Sequence, residues 1–365
     1  MTSAHSAVNP LANDLQHIMA HTSAVWEQVR GANIFVTGGT GFFGRWLLES
    51  FAHANQALAL NARLFVLSRK PDAFTANAPH LASAQRIHFV RGDVRTFDAG
   101  TVRAQLGAAA PERFTFVIHA ATDTTGNMAG TKPLQMVDTV VQGTRAALEF
   151  ALQTGASRFL LTSSGAVYGR QPPEMTHVPE TFMGAPDCAA AGSAYSEGKR
   201  VAELLCACYH QEHALETTIA RCFAFVGPFL PLDAHFAMGN FMRDALAGEP
   251  IVINGDGTPY RSYLHAADLT IWLWTILLRG APARAYNVGS EDGRPLRDIA
   301  DAVAAARPGT EVIVKTPADP AKPAQRYVPS CERAREELGL KTWIDLEDAI
   351  RRTLDSLERT KQAER

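Results

Sequence analysis

Short apolar runs alternate along the chain with longer stretches whose apolar residues recur at helical spacing, beginning at Asn33. Ile34-Phe35-Val36 ends in glycines, the pattern of a parallel strand buried on both faces. Phe43, Trp46, Leu47, Leu48 and Phe51 then fall at helical spacing. The cycle repeats: Leu64–Leu67, Ile87–Val90, Phe116–His119, Phe159–Thr162 and Thr217–Arg221 read as strands, 134–152 and 195–213 as helices. This predicts an α/β fold, a Rossmann-type doubly wound parallel sheet. After Gly227-Pro228 the pattern turns irregular and richer in Pro and Gly, which predicts a smaller C-terminal substrate-binding lobe. The expected organisation is an N-terminal extension over 1–30, a dinucleotide-binding domain over 31–227 and a mainly substrate-binding lobe over 228–358. The chain is expected to return to the first domain near 262–290.

With 365 residues, 46% hydrophobic and 20% charged, the chain has ordinary globular composition and length for a sizeable core. A net charge of −2 with both signs interspersed gives no reason to expect nucleic acid or an anionic membrane as partner. The five cysteines are odd in number and show no metal-site spacing, so free thiols and no metal are expected. No cationic stretch followed by an apolar run opens the sequence, and the strongly apolar run Ile271–Leu278 is far short of the roughly 20 residues that span a bilayer. A cytoplasmic location is therefore expected. Trp272 and Trp274, within that run, read as core residues.

The first strand leads into Thr37-Gly38-Gly39-Thr40-Gly41-Phe42-Phe43-Gly44, with Gly38, Gly41 and Gly44 spaced G-x-x-G-x-x-G at the start of a helix. Gly38 suits a tight turn, Gly41 the approach of a pyrophosphate to the backbone, and Gly44 close helix–strand packing. The helix N-terminus offers N–H groups and a positive dipole end, so Thr40, Phe42 and Phe43 join the glycines as cofactor-binding candidates. The second strand ends Leu67-Ser68-Arg69-Lys70, without the acid that would hold the ribose 2′-hydroxyl of NAD. Arg69 and Lys70 favour NADP over NAD; a solvated strand end is the alternative. Asp93 and Val94 close the third strand, where Asp93 serves either the adenine amino group or a turn.

Tyr195 and Lys199 are spaced i, i+4 and share a helix face. A phenol, with a pKa of about 10, is a poor base at neutral pH, and a nearby ammonium stabilises its phenolate. Thr162-Ser163-Ser164-Gly165-Ala166-Val167-Tyr168-Gly169 follows an apolar strand, which puts Ser164 at the carboxyl end of the sheet, either orienting a substrate hydroxyl beside Tyr195 or capping a turn. His119 reads as a packing residue. Asp123 reads as a turn acid, with assistance to proton transfer as the alternative.

Together the glycine loop, Val117-Ile118-His119-Ala120-Ala121, Ser-Ser-Gly-Ala-Val-Tyr-Gly and the Tyr195/Lys199 pair resemble the extended short-chain dehydrogenases, the NAD-dependent epimerase/dehydratase family. The resemblance runs from about Asn33 to Leu340. It implies that Ala120 and Ala121 meet the cofactor, that Thr122 and Asn240 contact substrate, and that Arg261, in Gly255–His265, binds its diphosphate. It implies a nucleotide-diphosphate sugar as substrate and a homodimer built on the helices near 134–152 and 195–213. Three positions depart from the family's pattern. The acids that sugar 4,6-dehydratases carry just after the catalytic Ser/Thr are Gly165 and Ala166 here, and two frequent asparagines are Val140 and Ala224. The expected activity is therefore a C4 epimerase, with an NADPH-dependent 4-keto-sugar reductase as runner-up; a dehydratase or a non-catalytic nucleotide-binding regulator ranks below both.

Overall fold

The computed structural model describes residues 9–84, 86–122, 132–234 and 236–363. The expected strands form one sheet: β1 (Asn33–Thr37), β2 (Arg63–Ser68), β3 (Ile87–Arg91), β4 (Phe116–His119), β5 (Arg158–Ser164) and β6 (Glu216–Cys222), joined by Arg284–Val288. All pairings are parallel. Starting from Arg284–Val288, the order runs through β6, β5, β4, β1, β2 and β3. The order reverses direction beside β1, where an open parallel sheet leaves a crevice at the carboxyl ends of its strands.

Strand alternation distributes the core between both faces. Ile34 and Val36 of β1 join Trp46, Trp272 and Trp274 on one side, while Phe35 joins Phe65, Phe114 and Phe150 on the other. Trp272 and Trp274 are core residues, as expected. Both lie in the helix Ala266–Arg279, mostly apolar and buried from Ala266 to Leu278. Their ring N–H groups are satisfied, by Lys341 O at 3.2 Å and by Ser50 Oγ at 2.9 Å.

The segment read as an N-terminal extension is packed from Leu11 onward. Helix Ala12–Thr22 and the turn Trp26–Val29 bury Leu11, Leu15, Ile18, Trp26 and Val29 in the main core. Leu11, Leu15 and Ile18 form a narrow apolar stripe, weak by itself, on the helix that covers the buried helix Ala266–Arg279. An ion pair and a hydrogen bond fix it, Asp14–Arg352 at 2.7 Å and His17 Nε2 to Asp268 Oδ1 at 2.8 Å.

Beyond β6, a small sheet aligns Tyr260–Arg261 between Arg294–Pro295 and Arg326–Tyr327. Its register sets Arg261 beside Tyr327, two residues far apart in sequence.

Candidate active site

A cleft of about 1000 Å³ opens along the carboxyl ends of the strands. One end is built by the glycine loop. Gly38 has φ +74°, and a Cβ there would stand 2.5 Å from the Ala120 carbonyl; a Cβ on Gly44 would stand 2.3 Å from Gly38 O. Both glycines are demanded by the chain's own atoms. Gly41 is exposed, and its Cβ would meet nothing closer than Gly38 O at 3.5 Å. The chain's own atoms therefore do not require glycine at 41, and its exposed backbone leaves the N-terminus of Phe42–Ala57 open to the cleft, where a dinucleotide pyrophosphate would fit.

Thr40, Phe42, Phe43, Ser68, Arg69, Asp93, Val94, Ala120 and Ala121 all line this end. Thr40 and Ser68 face each other, Oγ1 to Oγ at 3.4 Å. Asp93 is held well below the usual carboxylate range, to about 2, mainly by the Arg95 guanidinium bonded to it. Lys70, expected beside Arg69 at a 2′-phosphate, does not line the cleft. It precedes the short helix Pro71–Asn77 with its side chain exposed, while its backbone N–H donates to Ser68 Oγ at 3.3 Å.

The middle of the cleft brings Ser164, Tyr195, Lys199 and Thr122 together. Ser164 ends β5, buried, and its Oγ accepts from Ala166 N–H at 3.1 Å, so it caps the following turn as well as facing the cleft. Tyr195 and Lys199 stand on the helix Ala194–His213. Lys199 Nζ donates to Thr162 O at 2.7 Å and Thr122 Oγ1 at 2.8 Å, and lies 6.0 Å from the centre of the Tyr195 ring. Burial dominates both ionisations: it pushes the Tyr195 phenol up to about 12, against the influence of a Ser164 hydrogen bond, and the Lys199 ammonium down to about 8. In the protein alone, burial thus outweighs the phenolate stabilisation expected from the lysine.

His119 packs under the site as expected. Its ring nitrogens meet Thr37 Oγ1 at 2.7 Å and Thr144 Oγ1 at 3.2 Å, and burial lowers its pKa to about 3. Arg261 lines the far end, with Nη1 donating to Tyr260 O at 2.8 Å and no carboxylate partner among the described residues. Asn240 is not among the lining residues. It sits in the helix Ala237–Ala247, where its amide oxygen accepts from Arg243 at 3.1 Å, because Arg243 one turn on captures it. Phe236, Ala237 and Met238 reach the cleft from the same region. Asp123 lies outside the described residues.

Sequence reading missed Tyr327. Its ring packs on Phe223 at 4.7 Å between centres, its hydroxyl interacts with Ser164, and burial raises its pKa strongly. Cys222 was also missed; it pairs with Ser164 in the sheet register, and burial lifts its thiol to about 12. Neither is marked by a local motif.

This cleft sits on a chain whose residues 34–289 match a single family, described as "NAD dependent epimerase/dehydratase family". The chain belongs to that family. A UDP-glucuronic acid decarboxylase from Arabidopsis thaliana is 33% identical over 221 residues, 60% of this chain and 62% of that relative. The chain thus aligns with about three fifths of that relative's length. The fold is shared with a UDP-glucose 4-epimerase from Thermotoga maritima solved with UDP-glucose, at TM-score 0.73 and 21% identity over 90% of this chain and 99% of that one. It is shared too with a dTDP-glucose 4,6-dehydratase from Streptomyces venezuelae solved with NAD, at TM-score 0.75 and 22% identity, covering 91% and 98%. The names of these relatives differ in the reaction at the sugar: a decarboxylase, a 4-epimerase and a 4,6-dehydratase.

Proposed function

We propose that this protein is a nucleotide-sugar epimerase acting at a secondary carbinol, C4 of the hexose. The observation that carries the reading is the acid inventory of the cleft. Among the described lining residues the one carboxylate is Asp93, at the cofactor end and paired with Arg95. Gly165 and Ala166 follow Ser164 without a titratable group. A dehydratase must move protons at C5 and C6 as well as at C4, and a decarboxylase must reprotonate the carbon that loses CO₂. An epimerase needs one acid–base group, which Tyr195 provides.

A nicotinamide dinucleotide bound along the glycine loop supplies the hydride acceptor and donor. Ser164 orients the C4 hydroxyl, Tyr195 accepts its proton as the hydride leaves, and Lys199 offsets the charge on the phenolate. After the keto sugar turns over, Tyr195 returns the proton while the opposite face is reduced. Arg261, a cation without an acidic partner among the described residues, holds the diphosphate that leaves the sugar free to turn.

Arg69 in the cofactor end supports a second reading, a 4-keto-sugar reductase drawing on external NADPH. Mass spectrometry of the purified protein separates the two. A retained dinucleotide supports the epimerase, whereas an empty site with rapid NADPH exchange supports the reductase. For the assembly we infer a homodimer. Leu134, Val137, Val201 and Leu204 are exposed on the helices Pro133–Gln153 and Ala194–His213, which pack on each other. Among the described residues no helix is long and apolar enough to cross a membrane.

A further inference from the structure

The helix face that carries Tyr195 and Lys199 continues one turn further to Glu203, since the three are spaced i, i+4, i+8. Each meets the end of β5. Tyr195 faces Ser164, Lys199 Nζ donates to Thr162 O at 2.7 Å, and Ser163 Oγ donates to Glu203 Oε1 at 2.5 Å. Arg221, opposite Ser163 in the β5–β6 register, grips the same carboxylate. Its Nε lies 3.1 Å from both oxygens and its Nη2 2.7 Å from Oε2. The pair is nearly enclosed, with Arg221 side chain 17% and Glu203 12% exposed. Arg221 Nη1 also donates to the Tyr168 hydroxyl at 2.8 Å, which donates to Asn287 Oδ1 at 2.8 Å. The Asn287 amide donates to Val178 O and Ser330 O, reaching the segment just after Tyr327.

We propose that Glu203 is a positioning residue of the active site: clamped by Arg221, it holds Ser163, and with it the Ser164 end of β5, in register with Tyr195 and Lys199. The inference rests on the reading of Ser164, Tyr195 and Lys199 as the reacting set. Serine and arginine arrive from two strands and converge on one carboxylate of the helix, so strand end and helix face move as one piece. Such a lock matters because a misplacement of about 1 Å between reacting groups costs about 10²-fold in rate.

Glu203 also sets the field at Lys199. The titratable groups facing the ammonium are Tyr195, Glu203 and Cys206 on its own helix, Cys222 on β6 and His119 on β4. Burial keeps both thiols, the phenol and the imidazole neutral at pH 7. Glu203 is then the anion that opposes the effect of burial on Lys199. Its removal also leaves the Arg221 cation without its partner.

The test monitors Lys199 by NMR in unliganded protein labelled with [13Cε]lysine, assigned by Lys199→Met, and compares Glu203→Gln with Glu203→Asp. Glu203→Gln is expected to lower the Lys199 titration midpoint by about one unit or more, and Glu203→Asp to recover most of the shift. In the turnover assay Ser163→Ala, which removes only the strand-side contact, is expected to lower kcat about tenfold or more with KM little changed. It also serves where Glu203→Gln fails to fold. An unmoved Lys199 midpoint in folded Glu203→Gln, or wild-type kcat in Ser163→Ala, overturns the proposal. Full turnover in Tyr195→Phe overturns instead the catalytic reading on which it rests.

Discussion

Lys199 donates to Thr122 across 2.8 Å, tying the helix that carries the Tyr–Lys pair to the chain just beyond the end of β4. With the Thr162 carbonyl as its second acceptor, the ammonium is held by two oxygen atoms of the protein. Burial still lowers its pKa to about 8, so its charge is present below that pH and lost above it. On the proposed role of Lys199 as a cation, kcat is expected to fall as pH rises through about 8. A profile flat to pH 10 contradicts this role.

Tyr195→Phe removes the one acid–base group assigned to the sugar hydroxyl. Turnover is expected to fall roughly 10²–10⁴-fold while dinucleotide affinity stays within about twofold, measured by steady-state kinetics and calorimetry. Wild-type turnover would sink the assignment.

Arg69 lines the cofactor end from the tip of β2. A charge-assisted bond to a 2′-phosphate contributes about 1.5–3 kcal/mol, so Arg69→Ala is expected to weaken NADP(H) far more than NAD(H) in a binding titration. Equal weakening of both means that Arg69 does not read the phosphate. Lys70→Ala, outside the lining, is expected to change neither by more than about twofold.

Leu204 is 62% exposed on the helix Ala194–His213, and Leu134 is 81% exposed on its neighbour. Placing a charge at the centre of an apolar interface desolvates it without a partner. Leu204→Glu is expected to convert a dimer to a monomer in analytical ultracentrifugation. An unchanged sedimentation coefficient removes these helices from the interface.

The sheet was legible because parallel strands buried on both faces write continuous apolar runs, and each of the six read in advance pairs in the structure. The glycine loop and the Tyr195/Lys199 pair were legible because their geometry is local: a turn, and one helical turn. The features that stayed hidden depend on distant chain. Tyr327 reaches Ser164 only through the register of two-residue strands, and Glu203 acquires a role only once Arg221 is folded opposite Ser163. The stripe Leu11–Ile18 looked like an extension because its partner helix lies some 250 residues away. Asn240 was placed by resemblance, which cannot see Arg243 take its amide oxygen.

Chemistry that stops at hydride transfer leaves a solvent-isotope signature of its own. The protein is incubated with UDP- and dTDP-hexoses in D₂O and the products are monitored by 1H NMR and mass spectrometry. Epimerisation at C4 exchanges only a hydroxyl proton and returns the same hydride to carbon. The expected product is therefore the C4 epimer at unchanged mass, with no deuterium bound to carbon. Loss of one water, or of CO₂ when a UDP-hexuronic acid is included, with deuterium appearing at C5 would contradict it and return the chain to the dehydratases or decarboxylases.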